Sequence, residues 1–204
     1  MNKKQIYFIT ATNTNIGKTY ASEIFLNKFS KDGFKVGCFK PIETGVNKIP
    51  QDGNKILQLT QKLNNDFKVT IDDVVPYQFE LPASPYVADK QNDIDISIIK
   101  EKCIYLLQFC DVLIIEGAGG LLVPIKKNYF MIDLIKEFDC ITILISSSSL
   151  GSINDTLLSQ MALHKHQITY KWYINLYKDK EDFYITTLPF YKEYFSNINF
   201  LQGV

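Results

Sequence analysis

The sequence predicts an α/β fold in which helices flank a mostly parallel central sheet, built as a single domain over residues 1–204. Apolar runs of strand length recur along the chain, and segments with helical spacing of apolar residues separate them. Several of these runs are apolar throughout, which is typical of strands buried on both faces of a parallel sheet. A hydrophobic content of 46% is enough to build such a core.

Strands and helices are predicted to alternate along the chain, so the crossovers should be right-handed. The strands are predicted at residues 6–10, 35–39, 112–115, 141–145 and 172–174. The helices are predicted at residues 18–29, 54–63, 97–109, 131–138 and 152–164. Residues 64–95 are polar and contain three prolines, so they are predicted to form an excursion with little regular structure.

Charge and hydropathy exclude several classes of function. Cationic and acidic residues number 22 each, and this balance argues against nucleic acid as the main partner. All the cations are lysines, so no arginine finger can come from this chain or from an identical partner. No apolar run approaches the ~20 residues of a membrane span. The first run, residues 6–9, is too short for a secretory signal, so the cytoplasm is the expected location.

A phosphate-binding loop is predicted at residues 11–19, between the first strand and the first helix. Gly17 lets the backbone approach phosphates, Lys18 reaches the β- and γ-phosphates, and the Thr19 hydroxyl can bind Mg²⁺. Thr12 stands where the common pattern has its first glycine, so a plain turn is the alternative. The position between strand and helix favours nucleotide binding and a P-loop NTPase-like fold.

Two further charged residues follow predicted strands. Glu116 comes after the apolar run 112–115 and before glycines, where P-loop proteins hold Mg²⁺ or its water. Lys40 follows the second strand and precedes Pro41. Both should lie at the carboxyl edge of the sheet beside Lys18, where a second lysine would stabilise negative charge in phosphoryl transfer. The alternatives are a solvated acid in a flexible loop and an ordinary exposed lysine.

Two other positions remain open on sequence alone. Asp52 lies just before a predicted helix and is either a helix cap, the favoured interpretation, or a metal ligand. Leu150, Gly151 and Ser152 lead into the helix 152–164, whose start could hold a carboxylate or form a polar turn with a serine cap.

Taken together, these segments resemble the dethiobiotin synthetase family. The resemblance depends on separated motifs that occur in family order: Thr12-Asn-Thr-Asn-Ile-Gly-Lys-Thr19, Lys40-Pro41 with Thr44-Gly45, Ser84-Pro85, Glu116-Gly-Ala-Gly-Gly120, and Asn175 after a late strand. Ala11, Asn13 and Asn15 depart from the commonest family pattern, which has glycine at the first position and often acids at the other two.

The resemblance implies an enzyme that uses MgATP to join 7,8-diaminononanoate and CO2 into dethiobiotin, with release of ADP and phosphate. One amine captures CO2 as a carbamate, the carbamate oxygen attacks the γ-phosphate, and the second amine closes the ring. Lysines and Mg²⁺ would offset the repulsion between the anionic carbamate and triphosphate. The family is homodimeric, so the resemblance also implies a homodimer with a shared active site and no membrane or nucleic-acid partner.

The resemblance also assigns roles by position. Lys18 and Lys40 are the implied catalytic residues, and the implied Mg²⁺ ligands are Thr19, Asp52 and Glu116. The implied nucleotide-binding residues are Asn15, Ile16, Gly17, Lys18, Thr19, Tyr20, Asp52, Glu116, Gly117, Ala118, Gly119, Asn175, Leu176, Leu188, Pro189 and Phe190. In this set, Asn175 would read the base and 188–190 would line it. The implied substrate-binding residues are Thr14, Thr44 and, from the partner subunit, the segment Leu150, Gly151 and Ser152.

The main rival function is a dimeric ATP-dependent switch of the partition or cell-division type, built on a related fold. Such switches carry a second lysine at the front of the phosphate loop, whereas residues 10–12 read Thr-Ala-Thr. The synthetase half of a cobalamin-pathway amidotransferase is a weaker rival, and a nucleotide-binding module without catalysis is the simplest one.

Overall fold

A parallel sheet forms the centre of the protein in the computed structural model, which describes residues 4–204. In that range the strands are β1 (Gln5–Ala11), β2 (Val36–Phe39), β3 (Ile42–Thr44), β4 (Tyr77–Phe79), β5 (Val112–Gly120), β6 (Pro124–Lys126), β7 (Tyr129–Phe130), β8 (Ile141–Ser147) and β9 (Tyr170–Asn175). The central sheet has the order β2-β5-β1-β8-β9, and each neighbouring pair is parallel. The predicted α/β fold with a mostly parallel sheet is therefore confirmed.

Helices connect the strands. Over residues 4–204 they are α1 (Lys18–Lys31), α2 (Gln51–Leu63), α3 (Ile71–Val74), α4 (Pro85–Ala88), α5 (Ile96–Leu106), α6 (Met131–Lys136), α7 (Ser152–Lys165), α8 (Lys180–Thr186) and α9 (Leu188–Tyr194), with 3-10 turns at Leu107–Phe109 and Leu201–Gly203. No helix within that range is long and apolar enough to cross a membrane.

The middle strands are buried on both faces. Four consecutive residues of β5, 112–115, and three of β8, 143–145, are almost completely excluded from solvent. Because successive side chains of a strand point to opposite faces, layers of structure must cover both sides of the sheet. This burial explains why the runs are continuously apolar rather than alternating.

Strand β5 extends further than the sequence predicts. It continues through Glu116 and the glycines to Gly120, and it pairs with β1 in the register Ile9↔Glu116 and Ala11↔Gly120. A Cβ atom at Gly120 would lie 3.2 Å from the carbonyl oxygen of Thr12, so glycine permits this close approach of the two backbones. Glu116 therefore belongs to a buried strand, and the flexible-loop alternative is wrong.

The excursion at residues 64–95 is more ordered than predicted. It contains α3, β4 and α4, and β4 forms a short parallel ladder with β3. Its isolated apolar residues Phe67 and Ile94 are fully buried. A capping box between Thr70 and Asp73 begins α3. Single apolar anchors, rather than periodic runs, fix this segment against the core.

Candidate active site

A cavity of about 430 Å³ opens at the carboxyl edge of the central sheet. This is the edge at which open parallel sheets bind their ligands. The residues that line the cavity come from the predicted phosphate loop, from the segments that follow β2 and from the end of β5: Thr14, Asn15, Gly17, Lys18, Thr19, Lys40, Ile42, Glu43, Thr44, Asp52, Glu116, Ala118 and Gly119.

The phosphate loop lies between β1 and α1, as predicted. Two of its residues adopt left-handed backbone conformations, Asn15 with φ 58° and Gly17 with φ 97°. Gly17 is the N-cap residue of α1 and supplies no side-chain cap, so the first N–H groups of the helix keep their capacity to bind an anion. Ile16, between the two, is buried in the core.

Lys18 projects along the inside of the loop, where its Nζ donates a hydrogen bond to the carbonyl oxygen of Asn13 at 3.2 Å. Burial lowers the pKa of Lys18 to about 8, and the nearby Lys40 ammonium acts in the same direction. An anion bound beside the Lys18 ammonium would raise this pKa again and favour the charged form of the lysine. The site is therefore electrostatically suited to an anion.

Glu116 is the centre of the buried polar network. Its carboxylate accepts hydrogen bonds from the Lys40 Nζ at 2.7 Å, the Thr19 Oγ1 at 3.0 Å and the Ser22 Oγ at 2.8 Å. Burial disfavours the charge on Glu116, but the Lys40 ammonium outweighs it and holds the pKa of this carboxyl below its usual range. Burial likewise opposes the charge on Lys40, yet the Glu116 and Asp52 carboxylates raise its pKa. Lys40 and Glu116 thus form a buried ion pair that faces the phosphate loop.

Asp52 lies in the first turn of α2, with its carboxylate 3.9 Å from the Lys40 Nζ and about half exposed. The favoured interpretation, a helix cap, is wrong. Pro50 is the N-cap residue, and the Glu43 carboxylate accepts from the N–H groups of Asp52 and Gly53 at 3.0 and 2.9 Å. Since Glu43 satisfies the helix start, the side chain of Asp52 is free to face the cavity.

These oxygens fit a magnesium ion bound together with a nucleotide. Mg²⁺ prefers oxygen ligands and is usually held by one or two carboxylates, substrate phosphates and water. Thr19 and Glu116 oxygens lie 3.0 Å apart, and Asp52 lines the same cavity. Within residues 4–204 no group of three or more histidine, cysteine or acidic side chains is arranged to hold a metal alone. The set therefore fits Mg²⁺ only with phosphate oxygens and water as further ligands.

A second cavity of about 420 Å³ adjoins the first and shares Thr14, Thr44, Ala118 and Gly119 with it. Its other wall consists of residues 82–85 from the excursion together with Val123. The two predicted substrate contacts, Thr14 and Thr44, therefore lie where the cavities meet. Gly117, a predicted nucleotide contact, lines neither cavity. A Cβ atom at this position would approach Phe8 and Met131, so the position faces the core.

Three of the residues predicted to bind the nucleotide lie outside the first cavity. Asn175 is buried behind the phosphate loop, where its Nδ2 donates to the carbonyl oxygen of Ile16 at 2.9 Å. Tyr20 is exposed on α1, and the N–H of Leu176 donates to the Gln202 Oε1 at 3.3 Å. None of the three lines the first cavity.

The segment Leu188, Pro189 and Phe190, which is predicted to line the base, also lies outside the first cavity. These residues begin α9, where Leu188 is buried and Phe190 stacks on Tyr194 with ring centroids 5.1 Å apart. The helix packs through Tyr191, whose hydroxyl donates to the Ser152 carbonyl oxygen at 3.1 Å. Tyr191 thus connects α9 to α7.

The start of α7 lies apart from the first cavity of the same chain. Gly151, the N-cap residue, has φ 91° and supplies no side-chain cap, so the alternative of a serine cap is wrong. Leu150 is highly exposed, whereas the Ser152 Oγ is buried without a partner among the described residues. Further along α7, a cavity is lined by residues 155–162 of the helix together with residues 12–13 and 120–123.

Sequence reasoning missed four residues that contact this site or support the residues behind it: Ser22, Glu43, Tyr177 and Gln202. Ser22 lies four residues after Lys18, on the face of α1 that meets β5. That helical spacing was the signal available for Ser22. The other three depend on contacts distant in sequence, and no local pattern marks them.

Known proteins resemble this chain along most of its length. The family described as an AAA domain matches residues 5–175. The ATP-dependent dethiobiotin synthetase BioD of Sulfurovum sp. (strain NBC37-1) is 47% identical over 189 residues, which cover 92% of this chain and 90% of that protein. The same enzyme of Wolinella succinogenes is 39% identical over 189 residues, covering 91% of this chain and 88% of that protein.

Solved structures agree with the fold alone, because their sequence identities are low. A plasmid partition protein of Borrelia burgdorferi has a TM-score of 0.59 at 15% identity, covering 96% of this chain and 88% of that chain. The MinC:MinD cell division complex of Aquifex aeolicus has a TM-score of 0.53 at 20% identity, covering 85% of this chain and 69% of that chain. With relatives that are 47% and 39% identical over nine-tenths of its length, the chain belongs to the dethiobiotin synthetase family.

Proposed function

We propose that this protein is an ATP-dependent dethiobiotin synthetase, which carboxylates 7,8-diaminononanoate with CO2 and closes the ureido ring in biotin biosynthesis. The observation that carries the proposal is the convergence of Lys18, Lys40 and Glu116 on one cavity, in a chain of this family. Two anions, a carbamate and a triphosphate, must meet for the reaction to proceed. Two ammonium groups, together with a carboxylate that suits Mg²⁺, would offset the repulsion between these anions.

ATP binds with its phosphates in the loop before α1. The Lys18 ammonium offsets charge on the β- and γ-phosphates, and the N–H groups at the start of α1 surround the same oxygens. Thr19, Glu116 and Asp52 are the residues that would hold Mg²⁺, which supplies Lewis-acid neutralisation of the phosphate charge.

The diamine and CO2 occupy the junction of the two cavities, where Thr14 and Thr44 lie. One amine attacks CO2 and loses a proton to give a carbamate. A carbamate oxygen then attacks the γ-phosphorus, the bond to ADP breaks, and a carbamic–phosphoric anhydride forms. Lys40 is placed to stabilise the oxygens that carry charge in this step, because its Nζ is buried at the cavity wall 3.9 Å from Asp52.

Ring closure completes the reaction. The second amine attacks the anhydride carbonyl, phosphate leaves, and the amine proton is lost. Both amines belong to one bound molecule, so the attack is unimolecular, and the site contributes mainly by holding the chain of the substrate in place. Ala118 and Gly119 line both cavities and leave room for this substrate beside the backbone.

The protein works as a homodimer with a shared active site. Several large apolar side chains are exposed near the start and along the outer face of α7: Leu122, Leu150, Leu158 and Met161. Covering them with a second copy would bring the partner's α7 start, with its uncapped N–H groups, towards the substrate carboxylate. Leu158→Asp should therefore yield a monomer in sedimentation analysis, whereas the equally exposed Ile104→Asp on α5 should leave the dimer intact. We place this reaction in the cytoplasm, where MgATP and bicarbonate are available.

A dimeric ATPase switch is the second candidate, favoured by the fold of the partition and cell-division proteins. Phosphate release separates the two. With purified protein and MgATP, a ligase releases phosphate only when both the diamine and bicarbonate are added. Equal release without the diamine would support the switch and contradict the ligase.

A further inference from the structure

Two carbonyl groups of the phosphate loop are held from behind by residues at the end of β9. The Tyr177 hydroxyl donates to the carbonyl oxygen of Asn15 at 2.6 Å, and the Asn175 Nδ2 donates to the carbonyl oxygen of Ile16 at 2.9 Å. Asn15 and Gly17 line the first cavity, whereas Asn175 and Tyr177 do not. The loop therefore has a cavity side and a side that rests on the segment following β9.

These two hydrogen bonds fix which way the N–H groups of the loop point. A trans peptide is planar, and its C=O and N–H point in opposite directions. With the Asn15 and Ile16 carbonyls directed towards β9, the N–H groups of Ile16 and Gly17 are directed away from it. Among residues 4–204, nothing in the protein accepts a hydrogen bond from either N–H. Both donors are thus available to an anion in the cavity.

The backbone conformation would otherwise resist this arrangement. Asn15 has φ 58°, a left-handed conformation that costs a non-glycine residue free energy, and Gly17 has φ 97°. Hydrogen bonds to the two carbonyls offset that cost before any ligand arrives. Donors already oriented towards developing charge need no reorganisation when the anion binds.

A further contact fixes the orientation of the Asn175 amide. Gln202 accepts from the N–H of Leu176 at 3.3 Å through Oε1, and its Nε2 donates to the Asn175 Oδ1 at 3.0 Å. Only the Nδ2 of Asn175 is then left to face the Ile16 carbonyl. This chain of contacts begins at a backbone donor, the Leu176 N–H, and ends at a backbone acceptor, the Ile16 carbonyl. The oxygen and nitrogen of both side-chain amides, Gln202 and Asn175, can therefore be placed in only one way.

We propose that Tyr177, together with Asn175, is a positioning residue for triphosphate binding: it holds the loop carbonyls back so that the N–H groups of Ile16 and Gly17 meet phosphate oxygens. The proposal rests on the proposed nucleotide site. It adds a role towards the phosphates to the one implied for Asn175, and it extends the site to a tyrosine that lies outside the cavity.

The test is Tyr177→Phe, which removes one hydroxyl from an exposed side chain and keeps the ring. The matched control is Tyr184→Phe on α8, a similarly exposed tyrosine. Equilibrium binding is measured for MgATP and for inorganic pyrophosphate. Loss of one hydrogen bond should weaken both ligands by the same factor, about 3- to 10-fold. The KM for ATP should rise with kcat unchanged, and the control should match the wild type.

Pyrophosphate separates this role from two others. If Tyr177 contacted the base or ribose, ATP binding would weaken and pyrophosphate binding would not, which would overturn the proposal. If the hydroxyl served stability alone, the unfolding temperature would fall while both affinities stayed at the wild-type level, which would also overturn it. Wild-type protein that binds neither ligand would instead contradict the nucleotide site itself.

Discussion

Replacing Lys40 by methionine removes the ammonium group from the centre of the site while nearly preserving side-chain volume. In the wild type this ammonium lies 2.7 Å from the Glu116 Oε1 and 3.9 Å from the Asp52 Oδ2, and both Lys40 and Glu116 are buried. The substitution therefore affects two properties at once: the folded state loses one partner of a buried ion pair, and the reaction loses a positive charge.

The two effects have different magnitudes. Breaking a buried pair by removing one partner costs about 3–5 kcal/mol, because the remaining Glu116 carboxylate is left without its counter-charge. A domain of this size has about 5–15 kcal/mol of stability, so Lys40→Met should be folded in the cold yet clearly destabilised. Loss of one charge-stabilising group in the transition state should lower kcat by about 10²- to 10³-fold.

A double variant separates the effects. Lys40→Met combined with Glu116→Gln removes both charges and keeps both volumes, so its unfolding free energy should return to within about 1–2 kcal/mol of the wild type. Its kcat should stay low, because the positive charge is still missing and the Glu116 carboxylate, an expected Mg²⁺ ligand, is lost as well. The assays are urea unfolding and phosphate release with diamine, bicarbonate and MgATP at saturation, together with MgADP binding, which Lys40→Met should weaken far less than it lowers kcat.

Two outcomes would refute a role of Lys40 in the chemistry. Recovery of both stability and kcat would show that Lys40 only balances Glu116 in the folded state, and the proposed role in the chemistry would be refuted. Near wild-type kcat in Lys40→Met itself would refute it as well.

The remaining predictions concern the same cavity. Burial and the Lys40 ammonium lower the pKa of Lys18 to about 8, so its charge is lost as the pH rises through that value. We therefore expect kcat/KM for ATP to fall above this pH, and Lys18→Arg, whatever its activity, to lack that descending limb. Thr19→Val should raise the Mg²⁺ concentration needed for half-maximal activity by about tenfold in a magnesium titration. Glu43→Ala leaves two N–H groups at the start of α2 without their acceptor, and should lower the unfolding free energy by about 1–2 kcal/mol in urea, whereas the exposed Glu80→Ala should not.

The central part of the site could be predicted from sequence because topology determines it. Lys40 directly follows β2, Glu116 lies in β5, and Lys18 follows β1 through the phosphate loop. Parallel strands place their carboxyl ends at one edge of the sheet. The structure pairs β2 with β5 and β5 with β1, so the three side chains meet. The prediction that these three side chains meet required neither the strand pairing nor the distances between the side chains.

The errors arose where a contact distant in sequence replaced a local one. Asp52 has the residue type and position of a helix cap, but Glu43, nine residues earlier, is brought to the helix start by β3. The excursion at residues 64–95 has no periodic pattern, since single anchors such as Phe67 hold it. Local patterns do not reveal either arrangement.

The segment after β9 was the least predictable part. Leu188 and its neighbours begin α9, which contacts α7 through Tyr191, and their contact with the base stays a prediction. The contacts that reach the phosphate loop come from Asn175 and Tyr177, and Gln202 near the end of the chain supports them. Loop carbonyls have no sequence signature, so their partners become apparent only in three dimensions.

Mass analysis of the product formed from the diamine, ¹³C-labelled bicarbonate and MgATP is the most direct test of the central claim. We expect a single new compound with the mass of dethiobiotin carrying one ¹³C atom, formed in equal amount to the ADP released. ADP formed without any labelled organic product would contradict it, and would mean that the buried lysines and glutamate serve nucleotide hydrolysis alone.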